Sequence, residues 1–525
     1  MTAPAAAVAQ RVFPNPLLPG FNPDPSVLRV GDDFYIVTST FEYLPGLPVY
    51  HSTDFVQWEL IGTVITRDAQ AGLAEVPTGG GVWAPTIRHR DGVFHVIVTI
   101  AMGRGCIVYT ATDPAGPWSD GTPLPGVTGI DPDLAWDDDG TAVVTFSGLQ
   151  TTGDDLGAHH GIQQVRVDLA TGRTLEEPRS LWSGTGLKFP EAPHLYRRGD
   201  YWYLLIAEGG TERGHAVSVA RSDSPYGPFD PHPGNPVLSA RSTSRPIQNT
   251  GHGDLVETPD GGTALVLLGM RPLGMTQAFS ALGRETFATP VTWVDGWPIV
   301  EPVELRPASP SLDYDIVFGP EGERDGGSEG ERRLDDGWLA VRREPSTFTR
   351  FDTAGRLVLD GSGRGLDDPT PAFLGRRQVT PFADFSATID VTAGTGGVAV
   401  RYDEHDHVSV EASATPDGVR VVARYRLALL EQTWEAELPP GDVALAIEGV
   451  APPAGFGPAA MTSDHLVLRA SAGGVDVTLA TVDGRYLSAE TTASFTGRVQ
   501  GVYARDGEVA VAAVHYRGTE QGIDE

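Results

Sequence analysis

Short runs of alternating apolar and polar residues fill the chain, broken about every 8 to 12 positions by Gly, Pro, Asp or Asn. Apolar residues at helical spacing (i, i+3, i+4) are almost absent. The pattern therefore predicts an all-β protein, with hairpin turns at segments such as RDG, DDDG and PDGG. The 64 Gly and 42 Pro fit that reading, because each tight turn needs residues of this kind.

The strands recur in a larger unit. DPSVLRVGDDFYIVTST from Asp24, APTIRHRDGVFHVIVTI from Ala84 and DPDLAWDDDGTAVVTFS from Asp131 share one plan, as does APHLYRRGDYWYLLIAE from Ala192. HGDLVETPDGGTALVLLG from His252 repeats it more weakly. Each copy has a short strand, a tight turn and a second apolar strand, and several run on into a third strand and a closing aromatic segment. A spacing of about 50 to 60 residues is that of a four-stranded propeller blade. Residues 1–310 are thus expected to form a five-bladed β-propeller. The repeat lapses over 311–336, which is rich in Gly and charge and reads as a linker or exposed loop. Strands without the blade motif resume over 337–518 and predict a β-sandwich. Residues 519–525 read as a tail.

Length and charge narrow the function. A chain of 525 residues exceeds one ordinary core. Its 69 acidic against 38 basic residues give a net charge of -31, which disfavours nucleic acid and anionic membranes as partners and favours a neutral ligand. Lys188 is the sole lysine, and Cys106, the sole cysteine, can form no intrachain disulfide. No apolar run reaches the roughly 20 residues of a membrane helix. The first ten residues lack a cationic start and an apolar stretch, so a cytoplasmic location is expected.

In a propeller, the first strand of every blade lines the central channel. The residues that open these strands are Asp24, Trp83 with Ala84, Asp131, Glu191, and His252 with Gly253. Three carboxylates from three blades therefore converge on one mouth, and like charges in a cleft oppose stability. Any one of them could be a turn former; the three together point to chemistry. Glycosidic cleavage needs a protonated carboxyl for the leaving oxygen and an ionised one for water, and a third can tune or orient the acid. These residues alone do not say which carboxyl does which. The turn WDDDG, Trp136 to Gly140, lacks the rest of a calcium loop and reads as solvated.

The segments NPLLPGFNPDPS, TFEYLPGLPVYHSTDFVQWELIG, GGVWAP, GIDPDL, KFPEAPHLY, AEGGTERGHAVSVARS, GHGDLVETPDG and GRETF resemble, in order, family 43 glycoside hydrolases of the β-xylosidase and α-L-arabinofuranosidase type. PAFLGRRQ and VAVRYDEHDHVSVE resemble the concanavalin-like, jelly-roll domain at the C-terminus of such β-xylosidases. The resemblance implies inversion, with Asp24 as general base, Glu191 as general acid and Asp131 as pKa modulator and orienter. Base and acid would then stand about 6.5 to 9.5 Å apart. It further implies Phe41 and Trp83 as pocket walls, Arg284 as a group reaching sugar hydroxyls or a catalytic carboxylate, and Thr211 and His215 at the pocket border. His252 would lie deep in the channel, where the family in some cases holds a structural calcium or its waters; no cofactor is required. Blade-core packing for Trp83 and charge balance for Arg284 are competing readings. Where the family has Gly after the acid, this chain has Ala192. The implied activity is exo-acting release of β-D-xylose from short xylooligosaccharides, with α-L-arabinofuranosidase or dual specificity as the alternative. Relatives often form homo-oligomers. A non-catalytic sugar-binding propeller and a protein-interaction propeller are the readings from other classes.

Overall fold

The computed structural model describes residues 12–151, 153–319, 332–455, 457–492 and 494–521. Five antiparallel sheets of four or five strands follow one another along the chain as far as Val300, one for each repeat. Their inner strands are Ser26–Val30, Gly81–Arg90, Ile130–Trp136, Glu191–Arg198 and Gln248–Glu257. Among the described residues helix is limited to single turns such as Asp68–Ala71.

A ring of blades must be closed, or two sheet edges stay open. Here the N-terminal segment clips onto the last blade. The Asn15 side chain donates to Ala288 O at 2.8 Å and accepts from Ala288 N at 2.9 Å, while Leu17 N donates to Thr286 O at 2.9 Å. In the channel, Asp254 of blade five accepts from Val27 N of blade one at 3.0 Å, and Asp133 of blade three accepts from Leu195 N of blade four at 2.9 Å. Arg88 of blade two bridges both acids, at 2.7 Å to Asp133 and 3.2 Å to Asp254. Burying these charges is tolerable because each is paired and further hydrogen-bonded. Their geometric effect is to lock the blades in register.

Above this lock the inner strands lose regular pairing, with register shifts between Val82 and Pro85, Ile130 and Asp133, Glu191 and His194, and Gly251 and Gly253. Asp24, Asp131, Ala192 and His252 have φ of 55°, 51°, 50° and 48°. Bulges of this kind re-aim side chains, and left-handed backbone costs a non-glycine residue about 1 kcal/mol. Four blades thus carry the strained residue at the same place in the repeat. Ala192 bears at this φ a strain that a glycine would avoid.

The second domain is a sandwich whose two layers share long bent strands, Phe382–Arg401 and Val499–Thr519. Register shifts near Ile389, Ala393 and Gly396 let the first of these turn from one layer to the other. Phe385, Ile389, Val400, Leu445, Leu468 and Val514 belong to the core between the layers. The boundary differs from the sequence expectation. Ser311–Val317, placed in the 311–336 linker, is a strand paired with Ala513–Thr519 of the sandwich. Its alternation, SLDYDIV, was masked by the neighbouring charged run, of which residues 320–331 lie outside the described residues. In the stretch read as a tail, Thr519 completes a strand and Glu520 pairs with Arg271 of the propeller; residues 522–525 lie outside the described ones.

The two domains share a core. Tyr43–Leu44 of the first blade pairs with Leu339–Val341 of the sandwich. Phe21, Phe41 and Tyr43 pack in one cluster with Leu339, Phe373 and Tyr503, and Trp83 packs against it. Because Phe41 and Trp83 also face the propeller mouth, the sandwich supports the wall of the site described next.

Candidate active site

At the propeller mouth lies a pocket of about 220 Å³. Asp24, Asp131 and Glu191 line it, as do the expected Phe41, Trp83, Thr211, His215, His252 and Arg284. Every site residue read from the sequence therefore meets at one place. The acidic turn at 137–140 takes no part: Asp139 and Asp137 are held by Arg166 at 2.6 and 3.3 Å.

The three carboxyls have different surroundings. Asp24 accepts from Ser39 Oγ at 2.6 Å through Oδ2 and from Arg284 Nη1 at 2.8 Å through Oδ1. Donors on both oxygens suit a carboxylate, which is acceptor-only. Asp131 accepts one hydrogen bond, from Ala192 N at 3.1 Å. Burial, then the charge of Asp24, pushes its pKa up to about 7. For Glu191, burial and then the charges of Asp131 and Asp24 push the pKa well above the usual carboxylate range. Both carboxyls are thus pushed toward their protonated forms, and as close neighbours they titrate as a unit.

The imidazoles are neutral near pH 7. Burial lowers His252 to about 3, against the opposing charge of Asp24, whose Oδ1 is 3.5 Å from Nδ1. Burial likewise lowers His215 to about 4, and its Nδ1 lies 3.0 Å from Asn249 O, which assigns the proton to that nitrogen. Gly251 lets this ring approach, since a Cβ there would stand 2.4 Å from it. Among the described residues no three His, Cys, Asp or Glu side chains are grouped for a metal, and Arg88 already neutralises the two channel acids.

The apolar wall crosses domains. Phe41 is held by paired bonds with Val82, each 2.9 Å, and Gly81 is required there because a Cβ would lie 2.3 Å from Phe41 O. Phe495 of the sandwich stacks on Phe41 with centroids 5.9 Å apart and meets Trp83 edge-on at 5.8 Å. The Arg284 guanidinium lies 5.3 Å from the Phe41 ring centre and 5.4 Å from that of Phe495, while it binds Asp24. Trp83 thus serves both as pocket wall and as packing for the shared core; its Nε1 donates to Gly79 O at 2.8 Å. Sequence reasoning missed Phe495, Phe189, Glu212 and Ser39. Phe495 lies in TTASFTG, outside any blade, and nothing in its local pattern marks it. Removing its ring in Phe495→Ala should raise KM about tenfold, the order expected for losing one apolar contact face, with a smaller change in kcat. Steady-state kinetics on an aryl pentoside check this, and an unchanged KM would remove Phe495 from the pocket.

A five-bladed propeller with three convergent carboxyls, two of them pushed toward their protonated forms, in a pocket walled by aromatic rings is the equipment of a glycosidase. Residues 13–298 match the glycosyl hydrolases family 43 profile, and residues 330–516 match that of the β-xylosidase C-terminal concanavalin A-like domain. The chain belongs to glycosyl hydrolase family 43. It is 38% identical over 520 residues to a non-reducing end α-L-arabinofuranosidase of Bacteroides ovatus, covering 95% of this chain and 92% of that one. A xylosidase/arabinosidase of Butyrivibrio fibrisolvens is 37% identical over 70% of this chain and 72% of its own. Among solved structures, a xylan β-1,4-xylosidase of Bacillus halodurans superposes with TM-score 0.81 at 28% identity, over 96% of this chain and 100% of that one.

Proposed function

We propose that the protein is an exo-acting, inverting glycosidase that releases β-D-xylose from the non-reducing end of short xylooligosaccharides. Asp24 is the general base, Glu191 the general acid, and Asp131 the group that raises and orients the acid. The observation that carries this is the asymmetry of the three carboxyls in one pocket. Asp24 accepts from donors at both oxygens, and Glu191 is pushed toward its protonated form by burial and by Asp131 and Asp24. In this reading Asp24 takes a proton from water as it attacks the anomeric carbon. Glu191 gives its proton to the departing oxygen in the same step, so no covalent intermediate forms. Arg284 fixes the base and reaches the sugar's edge. Phe495 narrows the pocket from the sandwich side, which favours a chain end over the middle of a polymer.

One observation favours a second reading, α-L-arabinofuranose as the released sugar: the Bacteroides ovatus relative, matched over nearly the whole chain, is named for that activity. Initial rates on aryl β-D-xylopyranoside and aryl α-L-arabinofuranoside, measured side by side, decide between them. Faster xylose release sustains the proposal, and faster arabinose release reverses the substrate while keeping the mechanism. Turnover of neither substrate would favour a non-catalytic sugar-binding propeller.

The role of Asp131 has its own test. Activity needs protonated Glu191, so kcat/KM must fall as pH rises through the pKa of that acid. Asp131→Asn removes a negative charge that raises this pKa. The alkaline limb should move to lower pH by about one unit. A pH profile with that limb in place would show that Asp131 does not tune the acid.

A further inference from the structure

A second polar pocket, of about 190 Å³, lies on the sandwich and shares no residue with the active pocket. It is built on three strands of one sheet: Ser409 and Glu411 on one, Arg424 and Arg426 on its neighbour, and Tyr503 and Arg505 on a third. On the strand between the first and third, Gly397 faces both Glu411 and Tyr503, and Ala399 faces Ser409 and Gly501. Small residues between larger ones leave a trough on this face of the sheet. Its floor, through Tyr503 and Leu366, belongs to the shared core that backs Phe41, so the trough is on the propeller-facing side of the sandwich.

The chemistry of the lining is specific. Buried Glu411 accepts from Tyr503 at 3.1 Å and Arg424 at 3.1 Å, and pairs with Arg505 at 2.8 Å. Arg426 lies 3.5 Å from Asp367 and 3.9 Å from Glu431. Three guanidinium groups thus face three carboxylates, which leaves no net charge to recruit an ion. Two buried polar atoms remain without a partner, Nδ1 of His407 and Nε of Arg426. His407 is only 4% exposed, and an unsatisfied polar group so placed costs about 1 to 3 kcal/mol. Burial also lowers its pKa to about 3, so the ring is neutral near pH 7. Alternating fixed donors and acceptors, without net charge, match hydroxyl groups, which both donate and accept.

We propose that this trough is a second carbohydrate site, binding a neutral oligosaccharide through its hydroxyls at His407, Arg426 and the Glu411 cluster. The class of sugar rests on the function proposed above, and the test is arranged to separate the two. The hydrolysis-silenced Asp24→Asn protein is titrated calorimetrically with xylotriose and, separately, with α-1,5-arabinotriose. The titrations are repeated with Arg505→Gln and Glu431→Gln added, two substitutions at the partly exposed trough rim. One binding event should weaken at least tenfold in the rim variant for one of the two sugars. In the otherwise wild-type background, the rim variant should keep the parent's melting temperature and its rate on aryl pentosides. Binding that is indifferent to the rim substitutions, or confined to the active pocket, overturns the site. Should the rim variant melt lower than its parent, Arg426→Gln alone replaces it under the same criteria. Loss of aryl-pentoside activity in the unsubstituted parent would instead count against the proposed function, because the trough is read by binding and not by turnover.

Discussion

Asp24→Asn should lower kcat by about 10⁴-fold on every pentoside, whether its leaving group is activated or not. Asn is close in size to Asp, and its amide oxygen can still accept from Arg284, which donates to Asp24 at 2.8 Å. The pocket should therefore keep its shape and KM should change little. What is lost is the group that accepts the water's proton in the single displacement step. Because bond making by water and bond breaking occur in that same step, improving the leaving group cannot compensate. Proton NMR of the wild-type reaction should show the inverted anomer as first product, as a one-step displacement demands. A residual kcat within tenfold of the parent, or a retained anomer, would falsify the base assignment.

The fold was legible because propeller blades repeat. The period of the repeat, its turns and its alternating strands are local properties of sequence, and they survive in all five copies. The convergence of the three carboxyls was legible for the same reason. A channel-facing phase, once found in Asp24, recurs at Asp131, at His252 and, shifted by one residue, at Glu191. The structure gives that phase a physical cause in the bulged, left-handed backbone at Asp24, Asp131, Ala192 and His252. Phe495 was not legible, because its contact with Phe41 joins residues more than 400 positions apart through the packing of two domains. The strand Ser311–Val317 was missed for a related reason. Its partner is the last strand of the chain, and the charged run after it outweighed its short alternation. The network of Arg88, Asp133 and Asp254 was also invisible, since ion pairs between blades leave no periodic trace.

Glu191→Gln should produce an effect that depends on the leaving group, which distinguishes an acid from a base. On xylobiose the departing oxygen is a poor leaving group and needs a proton, so kcat/KM should fall by about 10³-fold or more. On an aryl glycoside activated by nitro groups the phenolate departs unaided, and the loss should stay within about tenfold. Gln keeps the shape and polarity of the side chain but has no proton to give at any pH. The alkaline limb of the wild-type profile, set by the raised pKa of Glu191, should therefore vanish in the variant when the activated substrate is used. Gln is neutral and nearly the same size, and it replaces a buried carboxyl already pushed toward its neutral form, so the variant should melt close to the parent, which rules out unfolding as the cause of lost activity. Equal losses on both substrates would mean that Glu191 positions the sugar without protonating the leaving group. The acid would then have to be sought in Asp131, whose own pKa is pushed up to about 7.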